Sequence, residues 1–293
     1  MSARADGAGL EISVVVPVRD GAKELPALLA SLDAQTLARE RFEVVLVDNA
    51  SGDETAAIAR RGGAVVVGEP VPNRSRARNR GAAAARADLL AFIDVDCVAE
   101  PTWLESMLGC AGTAPLVAGP VRITTGDPPN AVERFEALWR FSQETWVQDG
   151  WAATANLCVQ RDAFEAVGGL DAGYHHIGED VDFCLRAGQA GFALGYCPGA
   201  VVTHAAESRL PPLLRRAFFH GYSGSQVTRR LGIGAHAWQS PRPLLRGDDA
   251  MGVIGLAPGA LDPPEWRRMR RLARLAYGAR LAGSAWSALR RAR

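Results

Sequence analysis

The first hundred residues alternate short β-branched runs with helical stretches, and most of the runs stop on an acidic tip. Glu11–Val18 (EISVVVPV) closes on Pro17 and the turn RDGAKE. Phe42–Val47 (FEVVLV) closes on Asp48-Asn49-Ala50-Ser51. Ala64–Gly68 (AVVVG) follows, and Leu89–Ile93 (LLAFI) closes on Asp94-Val95-Asp96. Continuous apolar runs of this length read as strands buried on both faces. Between them, Leu25–Leu37 carries a helical stripe of Leu25, Leu28, Leu29 and Leu32, an Ala/Arg-rich helix begins at Asp53, and Ser75–Arg86 is alanine-rich and helical. The order β-α-β-α-β-α-β predicts an α/β fold, an open and mostly parallel Rossmann-like sheet with flanking helices and right-handed crossovers. Such sheets bind ligands beyond the carboxyl ends of their strands. Asp20, Asp48, Asp94 and Asp96 all fall there.

The pattern changes after Pro101. Helices are expected over Trp103–Ala111, Val132–Val147, Asp162–Val167 and Glu179–Ala190. Strands are expected over Leu116–Ile123, which contains Gly119-Pro120, and over Ala153–Val159, Phe192–Tyr196 and Ala200–Thr203. From Pro211 the chain reads as helical, interrupted by a Gly/Pro-rich stretch at 232–264. Three stretches follow: 1–123, 124–210 and a helical extension over 211–293.

Charge and cysteine content narrow the function classes. The 33 basic and 32 acidic side chains of the 293 residues nearly cancel, so no nucleic-acid partner is expected. The five cysteines (Cys97, Cys110, Cys158, Cys184 and Cys197) form no CxxC pair and several lie in apolar stretches. Reduced thiols in a cytoplasmic protein fit better than a disulfide framework or a zinc site. The N-terminus MSARADGAGLE has no apolar core, so no signal peptide is expected, and no apolar run is long enough to span a bilayer. The charge is uneven, however. Residues 265–293 hold nine arginines and one glutamate, leaving the rest of the chain at −7. Met269, Leu272, Ala276 and Ala279 share one helical face, and Arg267, Arg270, Arg271 and Arg274 fall opposite. Such a helix either packs its apolar stripe on the body or lies on an anionic membrane surface, here the inner face.

The strand-tip carboxylates carry the chemistry. Asp94 and Asp96, at i and i+2 in a strand, would share a face and repel each other. A hard divalent cation, Mg²⁺ or Mn²⁺, relieves that repulsion and is commonly completed by substrate phosphates. The plain alternative is a solvated pair capping a turn. Asp48 at the end of the second run can accept hydrogen bonds from a bound ring, or cap an Asx turn. Arg76, Arg78 and Asn79 precede the Asp94 run, where arginine suits a diphosphate or simply an exposed helix face. Gly178-Glu179-Asp180 opens a helix; its acidic start is either a plain match to the helix dipole or a general base, Asp180, that the dipole keeps ionised. His204, after the run VVT, is either a structural or surface histidine or a neutral nitrogen ligand to the metal.

Taken in order, SVVVPVRDGAKELPALLASL, FEVVLVDNASGDET, RSRARNRGAAAARADLLAFIDVDC, NLCVQRDAFEAVGGLD, GEDVDFCLR and VVTH resemble the inverting family 2 glycosyltransferases of GT-A fold. These stretches cover residues 11–205, and the resemblance implies that 1–123 is the nucleotide-sugar-binding half of a GT-A domain and 124–210 its acceptor-binding half. The resemblance implies that Pro17, Val18, Arg19, Asp20 and Asp48 hold base and ribose with Arg78 nearby. Asp94, followed by Val95, would face ribose or diphosphate. Asp96 would ligate the metal with His204. Asp180 would be the catalytic base with Glu179 beside it. The segment at Gly169, with Trp151 and Asn156, would form the acceptor site. A nucleoside-diphosphate sugar, UDP-linked by the family's habit, would then lose its sugar to a saccharide, lipid-linked or small-molecule acceptor in cell-surface glycan or glycolipid synthesis. For Trp139, Trp146 and Trp151, core packing is favoured over stacking on a sugar. The competing classes are a catalytically silent sugar-nucleotide binder and a nucleotidyltransferase. A binder needs no base, and VPVRDGAKE lacks the glycine-rich phosphate loop of a nucleotidyltransferase.

Overall fold

A computed structural model describes residues 9–232 and 262–289. The N-terminal MSARADGA, most of the Gly/Pro-rich stretch (233–261) and the last four residues lie outside the described part. The chain forms two compact units that interleave along the sequence. One takes in the residues up to Arg122, Ser142–His175 and Glu179–His204; the other takes in Ile123–Phe141, His176–Gly178 and the chain from Ala205. Residues 142–175 and 179–204 thus belong to the same unit as the parallel strands of the first hundred residues.

The first unit is built on a seven-stranded sheet in the order β3-β2-β1-β4-β8-β6-β9. Its strands are β1 (Ile12–Val18), β2 (Phe42–Asp48), β3 (Val65–Gly68), β4 (Leu89–Ile93), β6 (Leu116–Ala118), β8 (Asn156–Gln160) and β9 (Leu194–Tyr196). β1, β2, β3 and β4 run parallel, with Ile12 opposite Phe42 and Leu89. β8 enters antiparallel between β4 and β6, and β9 pairs parallel with β6. The fold is mixed α/β with a mostly parallel sheet, as the alternation predicts. Helices α1 (Leu25–Asp33), α2 (Thr55–Arg61), α3 (Arg74–Ala84), α4 (Trp103–Ala111), α6 (Gln143–Gln148), α7 (Arg161–Ala166) and α8 (Glu179–Gln189) belong to this unit. All five side chains of β4 are buried, and so are six of the seven of β1, which is why these runs carry no alternation.

Two expected elements are split. Gly119-Pro120 ends β6, and the chain restarts as β7 (Val121–Thr124) in a separate three-stranded sheet, β5-β10-β7. β5 (Cys97–Ala99) follows the Asp94-Val95-Asp96 turn directly and pairs antiparallel with β10 (Val202–Ala205), setting His204 opposite Cys97. The expected helix 132–147 is two: α5 (Ala131–Trp139), opened by an Asn130/Glu133 capping box, and α6.

The cysteine expectation is corrected. Cys110 and Cys197 form a disulfide across a sequence separation of 87, with their Cα atoms 6.0 Å apart. An unpatterned, even subset of cysteines gives no sequence signal for such a bond, because pairing depends on Cα proximity in the fold. Cys97, Cys158 and Cys184 are buried and take no part in that disulfide.

The second unit centres on α5, α9 (Leu210–Arg230) and the long α10 (Pro263–Leu289). Met269, Leu272, Ala273 and Ala276 of α10 are buried against Phe135 and Leu213. The apolar stripe read from sequence is therefore spent on packing. Glu136, buried in α5, is paired by Arg140 at 3.4 Å and by Arg216 of α9.

Candidate active site

Three loops meet at the carboxyl ends of β1, β2 and β4. The loop after β1 is stitched to the loop after β2: the Gly21 amide donates to Thr55 Oγ1 at 2.9 Å, Ala22 to Asp53 Oδ2 at 3.0 Å, and Asp20 to Ser51 Oγ at 3.0 Å. Asp20 has a positive φ of 53° and accepts the Gly52 amide at 2.7 Å. Asp48 accepts the Ser51 amide at 3.0 Å, the Asx-type turn that was the plain alternative for this residue. Arg19 stays exposed, 3.6 Å from the Asp20 carboxylate. Pro17 and Val18 close β1 beneath this loop.

A second network fixes the start of α3. Asn49, Glu69 and Asn73 are buried polar residues. Asn49 donates to the carbonyls of Glu69 and Val71, and its own oxygen takes the Asn73 amide at 2.8 Å. Asn73 caps α3 by accepting from Arg76 N, and reaches the carbonyls of Ala172 and Tyr174. Sequence reasoning gave none of these three, nor Asp53 and Thr55, a place in the site. The findable signal was an Asn immediately before a helical run, the usual N-cap position.

At the centre lies Arg78, only 1% exposed. Its guanidinium donates through Nη2 to Asp94 Oδ1 at 2.7 Å and through Nη1 to Glu179 Oε1 at 2.9 Å. One buried cation thus joins α3, the tip of β4 and the first turn of α8. This geometry corrects the picture of Asp94 and Asp96 as a same-face strand pair. β4 ends at Ile93, both carboxylates sit in the following turn, and they take different partners. Asp96 is exposed, with Oδ2 3.0 Å from His204 Nε2, while His204 is buried on β10.

Asp180 follows Glu179 in the first turn of α8 and is half-buried. Burial, and then the Glu179 charge, push its carboxyl up to about 7, against the opposing pull of Arg78. Desolvation and the neighbouring anion thus act against the helix dipole at this position. Its Oδ1 accepts the Val181 amide at 2.9 Å.

The residues expected at the acceptor divide. Gly169 has φ 68°, and a Cβ there would stand 2.8 Å from Asn79 Oδ1. Its loop is clamped by Asn79, which exchanges two hydrogen bonds with Leu170, and by Arg186, which donates to the Gly169 carbonyl at 2.8 Å. Trp151 is buried and stacks on Trp146 with centroids 4.4 Å apart. Asn156 is fully buried. Its amide donates to the Pro120 and Ala200 carbonyls and accepts from Trp103 Nε1, so each polar atom is engaged inside the protein. Among the described residues no group of three or more His, Cys, Asp or Glu side chains converges as a self-sufficient metal cage. Asp96 and His204, a carboxylate and an imidazole in contact, fit a cation that takes its remaining ligands from phosphate and water.

Residues 13–161 match the family described as Glycosyl transferase family 2, and residues 147–288 match Glycosyl transferase family group 2. The chain is a family 2 glycosyltransferase. Glycosyltransferase AglE of Haloferax volcanii is 29% identical over 266 residues, covering 87% of this chain and 83% of the relative. A pre-mycofactocin glycosyltransferase of Mycobacterium tuberculosis is 32% identical over 235 residues, covering 75% of this chain but 48% of its own length. Among solved structures, the mannosyltransferase PcManGT of Pyrobaculum calidifontis, in complex with GDP-Man and Mn²⁺, superposes with a TM-score of 0.67 at 18% identity, covering 94% of this chain and 87% of that one. S. aureus TarS 1–349 in complex with UDP-GlcNAc gives 0.57 at 15%, covering 94% and 89%. These likenesses establish the GT-A fold of this glycosyltransferase. No described helix is long and apolar enough to cross a membrane.

Proposed function

We propose that this glycosyltransferase moves a sugar from a nucleoside-diphosphate donor to an acceptor hydroxyl by a single displacement with inversion, and that Asp180 is the base. The observation that carries the reading is the Arg78 bridge, which ties the helix bearing Asp180 to the acidic tip of β4. Asp94 and the Pro17–Asp20 and Asp48 loops form the donor side. Asp180 takes the acceptor proton, and the hydroxyl oxygen attacks the anomeric carbon as its bond to the diphosphate oxygen breaks. A carboxyl that titrates near neutrality suits that proton transfer. Glu179, spent on Arg78, acts by holding the base in place. Trp151 and the loop at Gly169 are the acceptor side; Asn156 supports it from within.

Asp96 and His204 would hold Mg²⁺ or Mn²⁺. When bound, such an ion neutralises charge growing on a diphosphate leaving group. The Mn²⁺ and GDP-Man of the Pyrobaculum structure, and the UDP-GlcNAc of TarS, support a metal and a nucleotide-sugar donor as classes. UDP is our choice of nucleotide, and a saccharide, lipid-linked or small-molecule hydroxyl our choice of acceptor, in cell-surface glycan or glycolipid synthesis. We place the enzyme in the cytoplasm, with residues 265–293 touching the inner face of the membrane.

Thermal unfolding with UDP or GDP, with and without Mn²⁺, tests the reading. A ligand of the native state raises the melting temperature, by roughly 5 °C at saturation for a chain of this size. The rise should need Mn²⁺, disappear in Asp96→Asn and persist in Asp180→Asn. An equal rise without metal would remove the ion from the proposal.

A further inference from the structure

The stripe of α10 that the sequence offered to a membrane is buried, yet the helix keeps a second apolar face. Leu275, Leu281, Trp286 and Leu289 are 49%, 51%, 49% and 64% exposed, four of the seven exposed large hydrophobic residues among those described. At about 100° per residue these four share a sector of about 140° with Arg267, Arg271 and Arg274, which are also exposed. Met269, Leu272, Ala273 and Ala276 lie on the opposite side, against α5 and α9.

The contact between α9 and α10 explains why the large side chains point outward. A Cβ on Gly221 would stand 1.8 Å from the Arg280 carbonyl oxygen, and one on Gly283 would stand 1.9 Å from that of Phe218. The two backbones touch through glycine, and Ser284 Oγ donates to the Gly221 carbonyl at 3.0 Å. Close approach through small residues with a serine hydrogen bond is how helices associate where apolar surface is not driven together by water.

We propose that this outer face of α10 docks on an anionic phospholipid surface, the leucines and Trp286 entering the boundary between headgroups and acyl chains and the arginines pairing with phosphate. The proposal deepens the membrane contact proposed above. Arginine and leucine in one sector suit a medium that accepts both, and the headgroup boundary is such a medium. Trp is at home at that level. In sequence, arginines also follow the apolar stretch, at 290, 291 and 293, so it is basic at both ends.

The test is flotation of the full chain with vesicles of phosphatidylcholine alone or mixed with phosphatidylglycerol. Binding should need the anionic lipid and fall steeply with salt. Leu281→Glu with Trp286→Glu should lower the partition coefficient about tenfold or more. Arg267→Gln, Arg271→Gln and Arg274→Gln together, which leave the apolar residues alone, should abolish the preference for phosphatidylglycerol. The melting shift with nucleotide and Mn²⁺ is read on every variant. Absent flotation with that shift intact overturns the lipid face and leaves the donor reading standing; flotation without the shift does the reverse. Flotation unchanged in both variants overturns the assignment of this face. So does light scattering that shows a dimer which the glutamate variant dissociates, because the occupant is then a second copy.

Discussion

Asp180 sits where function and stability pull in opposite directions. As the proposed base it must be unprotonated to work, and burial beside Glu179 pushes its carboxyl up to about 7. Turnover should therefore rise about tenfold per pH unit below the midpoint and level off above it. A kcat profile flat between pH 5 and about 7 would show that another group takes the proton. The stability sign is the reverse. The folded-state value is raised above the 3.8 of a free aspartate, so the folded protein holds this proton more tightly than the unfolded chain does. That contribution is full below about pH 4 and is lost as pH rises through about 7. Asp180→Asn carries no charge to desolvate. It should lose about 10²–10⁴-fold in kcat and still melt above the wild type at alkaline pH, with the gap closing as the pH is lowered. A lower melting temperature at every pH would mean that the ionised carboxylate has a structural partner it needs. Asp94 and Asp96 make the complementary point. Two residues apart, they differ in environment, because one meets a buried guanidinium and the other an imidazole.

At the scale of elements, α3 organises the site. Asn73 fixes its start, Asn79 holds the Gly169 loop, and Arg78 holds β4 and α8. Replacing Arg78 by Met would take from Glu179 and Asp94 the buried cation they share, leaving Glu179 with the exposed Arg74 at 4.0 Å. Breaking a buried pair from one side costs about 3–5 kcal/mol, a loss that urea unfolding would register. The same change removes the charge that pulls the Asp180 carboxyl down, so the kcat midpoint should move to higher pH. Arg78→Lys, which keeps a charge but not the two-armed reach, should fall between. An unmoved midpoint in Arg78→Met would deny the electrostatic link while leaving the tie between elements intact. The elements were legible where periodicity is strong. β1, β2, β4 and the helices after them lie within a few residues of their sequence limits, since both-face burial and a leucine stripe leave clear marks. What escaped was set by distant partners. β5 is three residues long and exists through β10; the direction of β8, antiparallel to both β4 and β6, leaves no mark in its residues; and α5 stops at Trp139, inside the stretch that reads as one helix. The site residues Asp94, Arg78 and Glu179 could be named from sequence, but not that one guanidinium joins them, because they lie 16 and 101 residues from it.

The path of the chain through the whole molecule gives the disulfide its meaning. Between Cys110 and Cys197 the chain leaves the sheet unit twice, at 123–141 and 176–178, and returns each time. The bond closes that circuit, joining the end of α4 to the residue just after β9. Closing a loop of this length restricts the unfolded chain far more than the folded one, and removing a native bond of this kind typically costs about 2–5 kcal/mol. The site does not lean on it. Arg78, Asp94, Glu179 and the Asn49–Asn73 network are held by their own hydrogen bonds, and both cysteines lie outside them. Cys110→Ser should therefore lower the urea midpoint, and dithiothreitol should do the same to the wild type but nothing further to the variant. Nucleotide affinity in Mn²⁺, measured below the unfolding transition, should stay within about twofold, because sites with no shared partners perturb each other little. A large loss of affinity on reduction would show that the span from α4 to β9 transmits to the donor loops, and would make the thiol pair a control point of the enzyme instead of a staple.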